Sequence, residues 1–158
     1  MRARVYMFGD APITADEPVL VIDYEYMGER HITVCDFTEC GAYVANKTVK
    51  WCQERNIEYT IKQTTIEELI NELPDDLPID AWNNGKAIWL RTRSIKTIGD
   101  LRKALNAEQL WEQMSEDERY ALLFGLFPAR LARGLSKPEM LALIRKAEEK
   151  YGPYHKIC

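Results

Sequence analysis

Apolar and polar positions divide the chain into a β-rich first part and a helical remainder. Residues 5–9 (VYMFG) and 19–27 (VLVIDYEYM) are β-rich runs, separated by the loop GDAPITADEP. Gly28, Glu29 and Arg30 have turn chemistry, and HITVCDF (31–37) alternates. His31, Thr33, Cys35 and Phe37 fall on one face of that strand, and Ile32, Val34 and Asp36 on the other. The three strands read as a small meander. GAYVANKTVKWCQERN (41–56) changes to helical spacing, with Val44, Thr48 and Trp51 on one stripe. IEYTIKQ (57–63) returns to strand. A helix over 64–73 opens with Thr65 three residues before Glu68 and closes at Pro74. IDAW (79–82) and KAIWLRTR (86–93) flank Asn83, Asn84 and Gly85, which predicts a hairpin. TIGDLRKALN (97–106) is a short helix. Beyond it NAEQLWEQM, SEDERYALLFGLF and SKPEMLALIRKAEEKYG are helical, with Ser115–Glu118 and Ser136–Glu139 as capping boxes.

From residue 31 the order is β-α-β-α-β-β-α. Its first two strands, joined by a helix, are expected to run parallel through a right-handed crossover, and its last two to form the antiparallel hairpin. This predicts an α/β protein with a mixed sheet. Three regions follow: an N-terminal β extension (1–30), a core (31–106) and a C-terminal helical region (107–158). In that last region LLFGLFPARLARGL has an apolar face for the core or for a partner. Trp82, Trp89 and Trp111 are expected in packing.

The chain has 158 residues, 46% hydrophobic and 29% charged, enough for a core. Its net charge of −4, without a long run of one sign, argues against nucleic-acid binding through a basic patch. No stretch approaches the ~20 apolar residues of a membrane span. The N-terminus lacks the pattern of a signal peptide, and a cytoplasmic protein is expected. The four cysteines (Cys35, Cys40, Cys52 and Cys158) do not have the spacing of a disulfide scaffold, so free thiols are expected.

Candidate chemistry concentrates in CDFTECGAY (35–43). Cys40 falls in the loop just before the first helix, where the exposed N–H groups and positive dipole end favour a thiolate. The bland alternative is a small loop residue. Metal is not expected: His31, Cys35, Cys40 and Cys52 are spaced H-x3-C-x4-C-x11-C, which matches no compact zinc pattern. Cys35 and Cys52 read as buried apolar-like residues. His31 and His155 read as surface residues. Phosphate loops, nucleophile elbows and H-E-x-x-H motifs are absent from the sequence.

ITVCDFTECGAYV resembles the opening of a glutaredoxin, a strand that runs into a cysteine at a helix start. CQERNIEYTIKQ, DLPIDAWNNGKAIW and TIGDLRKAL resemble, in order, three later segments of that family. The likeness covers roughly 31–106 and implies a thioredoxin-like mixed sheet. It implies Cys40 as the catalytic thiol and Tyr43, Leu77, Pro78 and Asp100 as groove residues. Pro78 would be the cis-proline that faces the cysteine, and Asp100 would meet the amino end of glutathione. Tyr43 stands in place of a second cysteine, so the implied activity is monothiol, glutathione-dependent thiol–disulfide exchange. A Cys-Gly pair also occurs in the cluster-holding monothiol members, whose motif continues Phe-Ser where this chain has Ala-Tyr. The other expectation is a binding module: the same fold, without the chemistry, holding a protein partner. A small phage or mobile-element factor that inhibits a host protein belongs to that class.

Overall fold

The computed structural model describes residues 2–82 and 84–152, except for the side chain of Asn84. It is an α/β chain of two compact units, Met1–Leu101 and Arg102 onward. The first unit is built on one mixed five-stranded sheet. Its strands are β1 (Arg2–Phe8), β2 (Pro18–Tyr26), β3 (Glu29–Cys35), β4 (Tyr59–Thr65) and β5 (Ile79–Ala81), in the order β4-β2-β3-β1-β5. Helices α1 (Glu39–Glu54), α2 (Ile66–Glu72), α3 (Asn84–Thr92) and the start of α4 (Ile98–Glu112) complete it.

The β2–β3 hairpin forms as the turn residues require. Met27 and Gly28 both have positive φ, 51° and 77°, the backbone of a tight two-residue hairpin turn. The meander stops there. β1 lies parallel to β3 and to β5, between them. The loop over 9–17 is long enough to carry the chain across β3 to β2. Residues 2–26 are therefore two strands of the sheet itself, where the sequence set them apart as an extension.

Three further expectations are corrected. The strand after α1 is not a parallel neighbour of β3: both edges of β3 are taken, by β2 and β1, so β4 pairs antiparallel with the free edge of β2. Residues 86–93 do not form the second arm of a hairpin, because α3 runs through them. Lys86 and Leu90, one helical turn apart, are both buried there, and the buried partners of Lys86 are remote in sequence. Asn83, in the expected turn, lies outside the described residues. Finally, α1 begins at Glu39 with Thr38 as N-cap, so Cys40 is in the first helical turn and not in the loop before it.

The alternation of strand residues sends the two faces of the sheet to different cores. Val5, Met7, Val19, Val21, Ile32 and Val34 are buried on one face. On the other, Ile22, Cys35 and Ala45 form a cluster under α1 with Phe8, Leu20 and Tyr24 around it. That face also carries a row of rings. His31 is stacked between Tyr6 and Tyr24, at 5.7 and 5.1 Å between centroids, and Trp51 of α1 follows Tyr24 at 5.8 Å.

The second unit contains the later part of α4, then α5 (Glu116–Ala121), a 3-10 turn (Leu122–Phe124), α6 (Ala129–Ala132) and α7 (Lys137–Tyr151). Its core is Ala107, Trp111, Met114, Leu122, Leu143 and Ala147. The Ser115–Glu118 capping box forms, and Ser136 caps α7. In LLFGLFPARLARGL, Leu122 is buried and Phe127 and Leu131 pack against the core, while Phe124 and Leu126 stay exposed. Among the described residues no helix is long and apolar enough to cross a membrane.

Candidate functional site

β1, β3 and β5 run parallel and their carboxyl ends align, with Met7 opposite both Val34 and Ala81 and Phe8 opposite Cys35. The region beyond such ends is where open α/β sheets place ligands, because the connecting loops diverge there. Three segments leave this edge: Gly9-Asp10-Ala11 after β1, Asp36-Phe37-Thr38 after β3, and Trp82 after β5.

Asp36 ties them together. It is buried, and its carboxylate accepts from the backbone N–H of Ala11 and of Thr38, both at 3.1 Å, and from the Thr38 hydroxyl. Thr38 Oγ1 accepts in turn from the N–H of Gly41, 3.3 Å away, and of Asp10. Lys86, fully buried at the start of α3, lies 3.5 Å from the Asp36 carboxylate and makes a closer ion pair with Glu17. One lysine thus meets two buried carboxylates, from the end of loop 9–17 and from the segment after β3. Burial pushes the Glu17 carboxyl above its ordinary range, and Asp36 adds to that, while the hydrogen bond and charge of Lys86 oppose it. Among the described residues the Glu17 Oε2 has no hydrogen-bond partner.

Close backbone approach makes this knot possible. A Cβ on Gly9 would stand 1.8 Å from Asp36 Oδ2, one on Gly41 2.2 Å from the Asp36 carbonyl oxygen, and one on Gly85 2.3 Å from the Asp10 carbonyl oxygen. Loop 9–17 is fastened at its far end too. The Glu17 and Ala15 carbonyls accept from Ile66 and Glu67 at the start of α2, at 3.1 and 2.9 Å.

The exposed side chains near these loops are aromatic and acidic, with the Lys47 ammonium over the Tyr43 ring at 5.5 Å. Phe37 is 56% exposed, Tyr43 62% and Trp82 70%, with Asp10 and Glu39 exposed among them. The sequence placed Trp82 in packing. It instead follows the last β5 residue at the open end of the edge, with only Ala81 and Ile79 turned inward before it. Cys40 is partly exposed in the first turn of α1. Below it Cys35 is buried, and its thiol is pushed up to about 12 by burial, then by the neighbouring Asp36 and Cys40. Cys52 is buried as well, and burial raises its thiol.

The site residues implied by the glutaredoxin resemblance fall into two groups. Cys40 and Tyr43 are at the carboxyl edge. Leu77, Pro78 and Asp100 are together at the opposite, amino edge. Pro78 precedes Ile79, which pairs with Val5, so it lies level with Arg4 and His31. That is four residues, roughly 13 Å, from the level of Cys35 at ~3.3 Å per residue. Its peptide bond is trans, since no described bond is cis. Asp100 accepts from the N–H of Lys96 and Thr97 at 3.0 and 3.2 Å and so caps α4. Leu77 accepts from Ile98 through its carbonyl. The direction of β5 separates the two groups: it runs parallel to β1 and β3, so the residues just before it lie at their amino ends. Leu77 and Pro78 line a cleft of about 550 Å³ with Arg2, Arg4, Arg30 and Asp76.

The four residues weighed for zinc are not assembled either: His31 is held in the ring stack, and Cys52 is in the core on α1. Among the described residues no group of three or more His, Cys, Asp and Glu side chains is placed to hold a metal ion. His155 and Cys158 lie outside the described residues.

Glu17 and Lys86 were not singled out by sequence reasoning. The one signal was a lysine inside the apolar run GKAIWL, which fits an exposed strand as well as a buried helix turn. No family model matches the chain, and neither a curated protein nor a solved structure matches it.

Proposed function

We propose that this chain is a protein-binding module and that its contact surface is the carboxyl edge of β1, β3 and β5. The observation that carries this reading is the set of exposed aromatic side chains there, Phe37, Tyr43 and Trp82, held over the Glu17–Lys86–Asp36 knot. Large exposed rings on a pre-formed backbone are the usual anchors of a protein interface. A rigid floor also lowers the ordering cost of binding. The exposed acids Asp10 and Glu39 suit a partner that offers an apolar patch rimmed by cations.

A second reading rests on Cys40. It is partly exposed at the N-terminus of a 16-residue helix, and the carboxylate of Asp36 is already met by Lys86 and by backbone N–H groups. In monothiol exchange the Cys40 thiolate attacks a glutathione mixed disulfide, forms Cys40–S–S–glutathione and releases the substrate thiol. A second glutathione thiolate then attacks that bond, freeing Cys40 and forming glutathione disulfide. Leu77, Pro78 and Asp100 play no part in such a site, because they lie at the other edge.

One set of variants separates the readings. Wild type, Phe37→Asp with Tyr43→Asp, and Cys40→Ser are compared for capture of a partner from host lysate and for glutathione-dependent disulfide reduction. The binding reading expects a retained protein that the aromatic pair variant loses and Cys40→Ser keeps. Equal retention by wild type and the aromatic variant sinks it. Turnover that disappears only in Cys40→Ser favours the exchange reading instead.

A further inference from the structure

The two edges of the sheet are finished differently. β5 is three residues long, Pro78 precedes it, and the N–H of its Ile79 donates to the Lys96 carbonyl at 2.8 Å. Such a short, flanked strand offers little to another chain. β4, at the other edge, is seven residues long and pairs with β2 without interruption from Tyr59 to Thr65. It contains no proline, glycine or bulge. Residues 60–63 are all exposed, so its outer row of backbone N–H and C=O groups faces solvent. Its one charged residue, Lys62, stands on the face covered by α2 and pairs there with Glu72 at 2.8 Å. Ile61 is 48% exposed beside its fully buried partner Ile22, so an apolar row runs out of the core to the edge.

We infer that a second copy of this chain pairs with β4, antiparallel, about a two-fold axis at Thr60. The sequence Glu58-Tyr59-Thr60-Ile61-Lys62 is complementary to itself in that register. Thr60 opposes Thr60 of the other copy. Tyr59 opposes Ile61 on the face covered by α1, twice. Glu58 opposes Lys62 on the other face, twice. Threonine pairs, aromatic pairs with β-branched residues and opposite charges are the favourable cross-strand partners. Centring the pair on Lys62 instead would set two lysines against each other. The two-fold joins the two sheets into one of ten strands, and the Ile22–Ile61 row continues across the axis. This interface uses neither the aromatic edge nor Cys40.

The test is sedimentation of the full chain over a wide concentration range, with circular dichroism as a check on folding. Wild type is expected to dimerise. Glu58→Lys and Lys62→Glu are each expected to sediment as monomers, because each places two like-charged pairs across the axis. Mixing these two variants one to one is expected to restore the dimer, since every opposed pair is then of opposite sign. The double variant is expected to dimerise by itself. A wild type that stays monomeric overturns the inference, and so does a dimer that both single variants leave intact. Failure of both the mixture and the double variant to recover the dimer overturns the register.

Discussion

Lys86 is the residue on which the carboxyl edge depends. Its ammonium has no access to water, and it neutralises Glu17 and Asp36 from two other segments. A buried ion cluster contributes little net stability while whole, but removing one member strands the rest. Lys86→Met keeps the volume and leaves two carboxylates facing each other without a cation. We expect it to cost about 3–5 kcal/mol of unfolding free energy in a denaturant titration. Glu17→Gln should cost much less, because burial already disfavours the charge of Glu17 and Asp36 remains to pair with the lysine. This cluster was hardly legible in the sequence: its members are 17, 36 and 86, and nothing in single-residue propensity links them. Cys40 was legible only as lying near a helix start: helical spacing could be followed back to Gly41, but the Thr38 cap that brings Cys40 into the first turn was not evident. Cys35 and Cys52 were legible too, as small apolar-like residues on inward positions. Pro78 and Asp100 were placed from resemblance, and the strand pairing sent them elsewhere.

At the level of elements, α1 is positioned by what its first turn lacks. Gly41 has no side chain, and the backbone of Asp36 occupies the space a Cβ would need. Gly41→Ala forces the helix start away from β3 and disturbs the Thr38 cap. Overpacking of this kind typically costs ~1–3 kcal/mol. We expect that loss, together with faster amide exchange in the first turn of α1. Gly134→Ala, which meets nothing within 4 Å, serves as the control and should stay within ~0.5 kcal/mol of wild type. Most elements could be found from local pattern: the β2–β3 hairpin, α1, β4, α2 and the capped helices of the second unit. α3 could not. KAIWLRTR suits a strand by composition, and Asn-Asn-Gly before it suits a turn. A buried lysine with two distant partners decides for helix, and that is a tertiary effect.

For the whole molecule, the α/β class follows from periodicity, which also sets the change to helices near residue 106. The order β4-β2-β3-β1-β5 does not, because the pattern of a strand shows which face is buried and not which neighbour it takes. The ionisation of Cys35 gives stability a pH dependence. Its thiol is held at about 12 in the fold, against ~8.5 for a free cysteine. Between those values the unfolded chain has lost the proton and the folded chain keeps it. Stability is therefore highest below about pH 8.5 and falls as pH rises toward 12. Denaturant midpoints at pH 8 and pH 10 should show the fall, and Cys35→Ala should flatten it. The slope that remains is expected from Cys52, Tyr24 and Tyr151, which burial also raises.

The position of β1 also governs how the chain can come together in time. β1 precedes the other four strands of the sheet in the chain, yet it lies between β3 and β5, and its Val5 pairs with Ile79, 74 residues later. A ribosome must therefore deliver the chain through β5 before that strand has both neighbours, and through the start of α3 before Lys86 can reach Asp36. Until then the edge of β1 that β5 covers is open, and contacts of such long sequence separation form slowly. The early chain can complete the β2–β3 hairpin by itself, but the edge around Cys40 exists only after its last part, the start of α3, has arrived.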